Sequence, residues 1–255
     1  IINPYDLFSL EEALRLRDAH GGEVTVVSMG PPMAADALRK ALTYGADRAV
    51  LLTDRYFAGS DTLATSFALA SALTRIGELY GTPDVVFTGK QTIDGDTAQV
   101  GPGIAKRLGY QQLTYVNKIL ELDPKAGTCV VERRAEGGVQ ILQSKLPVLV
   151  TMLEADPLRR GSMEEALRAA RSEIIRWSAA QAGITELTRC GLKGSPTVVK
   201  KVYAPSARAE RAKPVGSEGA SPAQLAGEIL EAMFTQAPAL EADLLALSAE
   251  RRKAG

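Results

Sequence analysis

Chemistry in this chain concentrates in one stretch: Gly89-Lys90-Gln91-Thr92-Ile93-Asp94-Gly95-Asp96-Thr97-Ala98-Gln99-Val100-Gly101-Pro102. These residue types suit holding an anion better than breaking a bond. Backbone N–H groups at a helix start favour a phosphate. Thr97 and Gln99 can add hydrogen bonds, and Gly95 and Gly101 allow close backbone approach. Asp94 and Asp96 would repel a diphosphate unless turned away, and Asp94 can instead brace the loop by accepting from backbone N–H groups. Lys90 can neutralise phosphate or stand as a solvated surface charge. The elements that must position the loop lie on either side of it. Asp84-Val85-Val86-Phe87-Thr88 reads as a strand and Ile104 to Leu108 as a helix. The loop then sits at the carboxyl edge of an α/β sheet, where nucleotides bind. It is neither a Walker loop nor G-x-G-x-x-G, and an ordinary strand-to-helix connection also fits the pattern.

The surrounding chain alternates strands with helices. Asn3 suits an N-cap and Pro4 the first helical position. Leu7, Leu10 and Leu14 share a face, and Gly21-Gly22 ends that helix. Val24 to Ser28 reads as a strand, Met29-Gly30-Pro31-Pro32 as a turn, Ala34 to Tyr44 as a helix and Ala49 to Leu52 as a strand. Ser60 or Asp61 can cap a long helix reaching about Tyr80. This alternation predicts a doubly wound, mostly parallel sheet. After Leu108 come short strand candidates, Leu113 to Val116, Lys118 to Leu122, Cys129 to Arg134 and Val139 to Gln143. They predict an antiparallel addition that returns through Leu146 to Met152. Ser162 to Ser172 reads as a helix. From about Ala179 the composition loosens into an extended arm, with a last amphipathic helix near Pro222 to Phe234.

Composition narrows the function. Apolar residues make up 45% and charged residues 24% of 255, ordinary for a globular protein with a substantial core. Thirty basic and thirty acidic side chains balance, so no nucleic-acid footprint is implied. No apolar run is long enough for a membrane span. Cys129 and Cys190 lack metal or disulfide spacing. His20 is the only histidine, which removes histidine triads and multi-histidine metal sites; beside Gly21 it reads as a cation at a helix end.

The Gly89 to Pro102 segment resembles the nucleotide loop of the electron transfer flavoprotein β-subunit family, whose members carry Gly-Lys-Gln-x-Ile-Asp here. A second motif, Val131-Glu132-Arg133-Arg134-Ala135-Glu136-Gly137-Gly138-Val139-Gln140-Ile141-Leu142 with Pro147-Val148-Leu149-Val150-Thr151, resembles the family's acid-Gly-Gly turn and Pro-led strand. Asn3-Pro4-Tyr5-Asp6 and Gly45-Ala46-Asp47-Arg48 add to the likeness, which extends from Ile1 to about Pro205.

The resemblance implies an adenine nucleotide α-hydrolase-like fold. Residues 1–178 would form the nucleotide-binding α/β domain, and 179–255 an arm and helix for α-subunit contact. Family members normally begin with an additional, central strand that supplies part of the adenine pocket, and here that strand is expected to be missing. By resemblance, Asn3, Pro4, Tyr5 and Asp6 lie by the adenosine, although Asn3 and Pro4 serve equally as helix-capping residues. Ser28, Met29 and Gly30 form a second wall, with Met29 more a packing residue than a specific contact. Gly89, Lys90, Gln91, Asp94, Gly95, Asp96, Thr97, Ala98, Gln99, Val100 and Gly101 hold the phosphates.

Three segments resemble the flavin-bifurcating branch: Asp94 to Pro102, Gly59-Ser60-Asp61-Thr62-Leu63-Ala64-Thr65-Ser66, and Cys190-Gly191-Leu192-Lys193-Gly194-Ser195-Pro196. Gly59, Ser60 and Thr62 at a helix start would admit the diphosphate and ribityl chain of FAD. This reading has NADH as donor, ferredoxin or flavodoxin as one acceptor, and an acyl-CoA dehydrogenase or quinone-linked enzyme as the other, reached through the flavin of an α-subunit partner. The alternative is a non-bifurcating β-subunit holding AMP as a structural and dehydrogenase-docking subunit. A free-standing nucleotide-binding protein of the universal stress type has no use for the acid-Gly-Gly signature or the long arm. A cytoplasmic location is expected. The family's partner-recognition loop corresponds to Asp156-Pro157-Leu158-Arg159-Arg160-Gly161-Ser162-Met163, with Leu158 or Met163 as its apolar anchor. Arg159, Arg160, Arg168 and Arg171 suit an acidic partner or, equally, a solvated helix face.

Overall fold

The computed structural model describes residues 1–155, 158–204, 206, 215–217 and 219–253. Among these residues, eight strands divide between two sheets. In the first, β1 (Thr25–Met29), β2 (Arg48–Leu52) and β8 (Ile175–Trp177) lie parallel in that order. The second has the order β3 (Val85–Gly89), β7 (Val148–Met152), β4 (Gln111–Asp123), β5 (Thr128–Ala135), β6 (Gly138–Lys145). Its first three strands are parallel, and β4-β5-β6 form the expected antiparallel addition.

Helices α1 (Pro4–His20), α2 (Ala35–Thr43), α3 (Thr62–Tyr80), α4 (Val100–Leu108) and α5 (Met163–Arg171) cover these sheets. Side-chain alternation shows the double winding. On β2, Ala49 and Leu51 face α1, α2 and Ala169 of α5. Val50 and Leu52 face Ala68, Ala72 and Ile76 of α3. On β7, Val148, Val150 and Met152 pack toward Leu16 of α1, while Leu149 meets Ile104 and Ala105 of α4. Strands covered on both faces read as continuous apolar runs, and β7 is buried along its whole length. The strands β1 and β3 differ: among the described residues each pairs on one side only, β1 with β2 and β3 with β7, and β1 is half-buried throughout.

Three elements depart from the sequence expectation. The two candidates Leu113–Val116 and Lys118–Leu122 are one strand, β4, interrupted by register shifts rather than by a turn. Tyr115 takes up the first irregularity in a left-handed conformation, φ 58°. The helix α4 begins at Val100, before the expected Ile104, because Pro102 falls in its first turn, where a missing N–H costs nothing. The three-residue β8 is too short to show periodicity.

The chain forms two units, Ile1–Lys200 and Lys201–Gly255. The first runs past residue 178 because Ala179, Ala182, Ile184 and Cys190 are buried in the core beside Trp177 and Phe57. The second contains α6 (Pro222–Gln236), opened by a Ser221–Gln224 capping box, and α7 (Pro238–Lys253). Among the described residues no helix is long and apolar enough to cross a membrane, and no cluster of His, Cys, Asp and Glu could hold a metal.

Candidate nucleotide site

The parallel strands β1, β2, β3 and β7 end at Met29, Leu52, Gly89 and Met152, and the candidate residues follow those ends or begin α1. The sharpest contact joins β3 to α1. A Cβ on Gly89 would lie 2.6 Å from Tyr5 Cβ and 2.9 Å from the Asp6 nitrogen, so only glycine allows α1 to start there. The Gly89 N–H donates to Asp6 Oδ1 at 2.6 Å. Asn3 Nδ2 donates to Asp6 Oδ2 at 2.9 Å and to the Gln91 carbonyl at 2.9 Å. Asn3 therefore does not cap its helix through its side chain. Its Oδ1 is buried without a hydrogen-bond partner, an acceptor facing no donor. Both Asp6 oxygens are engaged within the protein.

Lys90 donates its N–H to the Met152 carbonyl at 2.8 Å, extending the β3–β7 ladder by one bond. Its ammonium lies between two rings, 5.3 Å from the Tyr5 centroid and 5.6 Å from that of Tyr115, within the range of cation–π attraction. Sequence reasoning passed over Tyr115. It comes from a distant strand, and the left-handed turn that aims it has no glycine or asparagine to mark it.

The loop beyond Lys90 is braced by its own side chains. Gln91 Nε2 donates to Asp96 Oδ1. The Thr92 hydroxyl and the backbone N–H groups of Asp94 and Gly95 hold the Asp94 carboxyl below its usual range, outweighing its slight burial. Asp96 and Ala98 adopt φ 52° and 54°, uncommon for residues with a Cβ. Gln99 follows in a right-handed conformation, φ −98° and ψ −25°. A left-handed then right-handed pair aims successive N–H groups into one concavity, the geometry of an anion nest. No side chain caps α4. At α3, by contrast, Asp61 Oδ1 accepts from the N–H groups of Leu63 and Ala64. Of the two helix starts, α4 is open to an anion and α3 is closed by its own carboxylate.

The two starts meet where the Thr62 hydroxyl donates to Gln99 Oε1 at 2.8 Å. Gly101 seats α4, since a Cβ there would lie 2.7 Å from Thr88 Oγ1 and 2.8 Å from Thr151 Cγ2. Gly59 and Ser60 are engaged internally. Leu192 covers Gly59, where a Cβ would lie 2.7 Å from Leu192 Cδ2. The Ser60 hydroxyl donates to the Phe57 carbonyl at 2.7 Å and accepts from the Gly191 N–H at 3.1 Å. Thus two of the segments singled out in the sequence, Gly59–Ser66 and Cys190–Pro196, are in contact. Ser28 and Met29 lie on β1, Met29 packs against the core of Trp177, and the Gly30 N–H donates to the Leu52 carbonyl at 3.0 Å. Among the described residues no hydrogen bond joins them to the Asn3–Gln91 cluster.

On the segment carrying the expected apolar anchors, Leu158 lines a narrow crevice with Leu7, Leu10, Leu14 and Tyr44. Met163, at the start of α5, is 77% exposed. Asp156 and Pro157 lie outside the described residues. Arg159 is committed to Glu11 and Asp18, and Arg168 to the Ala46 carbonyl, so neither is a spare charge for a partner.

Similarity to other proteins agrees with this geometry. The electron transfer flavoprotein domain matches residues 1–182. "Protein FixA" of Azorhizobium caulinodans is 64% identical over 249 residues, covering 97% of this chain and 88% of that protein. "Protein FixA" of Rhizobium meliloti is 65% identical over 245 residues, covering 96% and 84%. "Electron transfer flavoprotein subunit beta" of Clostridium acetobutylicum is 48% identical over 202 residues, covering 79% and 74%. The chain belongs to the electron transfer flavoprotein family and is of its β-subunit type.

Proposed function

We propose that this chain, as the β-subunit of a heterodimer, binds FAD and passes electrons from NADH by bifurcation. One branch would lead to ferredoxin or flavodoxin. The other would lead through the α-subunit flavin to an acyl-CoA dehydrogenase or a quinone-linked enzyme. The observation that carries the nucleotide site is the uncapped start of α4, with its left-handed Ala98 before a right-handed Gln99. The buried, unpartnered Asn3 Oδ1 supports it, because a donor on a nucleotide would satisfy an acceptor that the protein leaves bare.

FAD, when bound, supplies the redox chemistry itself, and the protein supplies binding and orientation. Gly95 to Gly101 would hold the diphosphate through backbone N–H groups. Lys90, steadied by Tyr5 and Tyr115, would add positive charge. Asp6 would fix Asn3 and the Gly89 backbone rather than touch the nucleotide. At the partner face, Met163 is the better anchor, since it is 77% exposed against 37% for Leu158, which lines a crevice beside α1. Exposed Ile229, Leu230 and Met233 of α6 would offer apolar surface to the α-subunit.

One observation favours AMP as a second reading. With Ser60 satisfied by Phe57 and Gly191, and Gly59 beneath Leu192, the start of α3 offers little to a flavin chain. The test is to co-express the chain with its α-subunit, denature the heterodimer and identify the released nucleotides. Two FAD per heterodimer are expected. One FAD with one AMP would sink bifurcation and leave a structural, docking role.

A further inference from the structure

We infer that Glu11 and Arg159 are positioning residues for partner docking: their ion pair fixes the stem of the segment that presents Met163. This rests on the docking role proposed for that segment. Glu11 lies on α1 but is only 9% exposed, unusual for a helical glutamate. A carboxylate so placed is costly unless it is paired and hydrogen-bonded. Arg159 meets that need. Its backbone N–H donates to Glu11 Oε2 at 3.0 Å. Its Nε reaches both carboxylate oxygens, at 3.1 and 3.0 Å, and its Nη2 donates to Oε1 at 3.0 Å. The remaining Nη1 donates to Asp18 Oδ2 at 2.7 Å. A lone surface ion pair would fix little, but a planar guanidinium sharing a buried carboxylate with its own backbone N–H fixes both main chain and side chain.

The neighbouring contacts fasten the same stem. Leu158, 37% exposed, lines a narrow crevice together with Leu7, Leu10, Leu14 and Tyr44. Gly161 passes so close to α2 that a Cβ would fall 1.7 Å from the Thr43 carbonyl oxygen. Ser162 then opens α5 with a full capping box to Glu165. Arg168 donates to the Ala46 carbonyl at 2.9 Å, and Arg39 holds the far end of α5 through the carbonyls of Ala169 and Ser172. The exposed methionine therefore projects from a stem held at both ends, and the ordering cost of docking is met before the partner arrives. Glu11 and Arg159 would face no partner themselves.

The test uses the intact heterodimer. Glu11→Gln keeps the size but removes the charge and turns one accepting oxygen into a donor, and Arg159→Lys keeps the charge but removes the planar fork. The exchange of Glu11→Arg with Arg159→Glu restores the pair in reverse, and Met163→Ala controls for docking. Hydrogen exchange of the Leu158 to Gly161 amides is read alongside electron transfer to the flavoprotein that accepts electrons from the heterodimer. In both single variants exchange should quicken by roughly tenfold or more. KM for the partner should rise with kcat and nucleotide content unchanged, and the reversed pair should recover part of each loss. Unchanged exchange in both single variants would overturn the inference. So would fast exchange with an unchanged KM in variants where Met163→Ala raises KM. An unchanged KM in Met163→Ala would instead sink the docking reading on which the inference stands.

Discussion

Gly101 shows how a missing side chain can set the position of a helix start. Its missing Cβ leaves room for Thr88 and Thr151 against α4, so the helix start is set by packing beneath it. Gly101→Ala is expected to destabilise the chain by about 1–3 kcal/mol, as overpacking does. It should also lower bound nucleotide, read by thermal melting and by nucleotide content after denaturation. The glycine was legible in the sequence, but its reason was not, since Thr88 and Thr151 are brought to it only by the β3–β7 pairing. Asn3 is similar: its type suggested a cap, while its bond to the Gln91 carbonyl depends on a contact 88 residues away. A different residue sets a pH response. Burial, helped by the charge of Glu12, pushes the Cys129 thiol up from 9.0 to about 11. The folded chain thus keeps a proton that the unfolded chain gives up. Stability should fall as pH rises through that window, and Cys129→Ala should lack this component when urea midpoints are compared across it.

At the scale of elements, the difference between α3 and α4 decides where an anion can sit. The helix α3 carries its own counter-charge in Asp61. Burial raises the pKa of that carboxyl, but bonds from Ala64, Thr197 and Leu63 together hold it below the usual range. The start of α4 has no such group. Gln99→Asp would place a carboxylate at that start and imitate the ligand. It is expected to stabilise the nucleotide-free chain by up to about 1 kcal/mol and to weaken nucleotide retention about tenfold, measured by dialysis against released nucleotide. The loop itself was legible from its strand-before, helix-after context. The closed start of α3 was legible in part, since Asp61 or Ser60 read as its cap, but the open start of α4 was not, because that helix was expected only from Ile104. The continuous β4 was hidden because Tyr115 makes its bulge without a glycine, and β8 because three residues show no period.

For the whole molecule, the division after Lys200 means that the proposed nucleotide site and the proposed docking segment belong to one unit. Trypsin cleavage after Lys200 or Lys201 should leave a fragment of residues 1–200 that melts cooperatively and retains the nucleotide, while losing α-subunit affinity. Mass spectrometry of the protected fragment checks the boundary. Loose composition after Ala179 suggested an earlier end to the domain. Small side chains such as Ala179 and Ala182 fill gaps around larger ones, and composition does not report that use. One of those larger neighbours has an optical consequence. Trp177, the chain's single tryptophan, is 7% exposed and stands at the carboxyl end of β8 among Met29, Phe57 and Cys190. Its fluorescence should therefore be blue-shifted and free of background from any other indole. An isoalloxazine bound nearby absorbs where indole emits and would dim that signal by energy transfer, whereas AMP absorbs too far in the ultraviolet to do so. The core thus contains a light source that would distinguish the two proposed nucleotides.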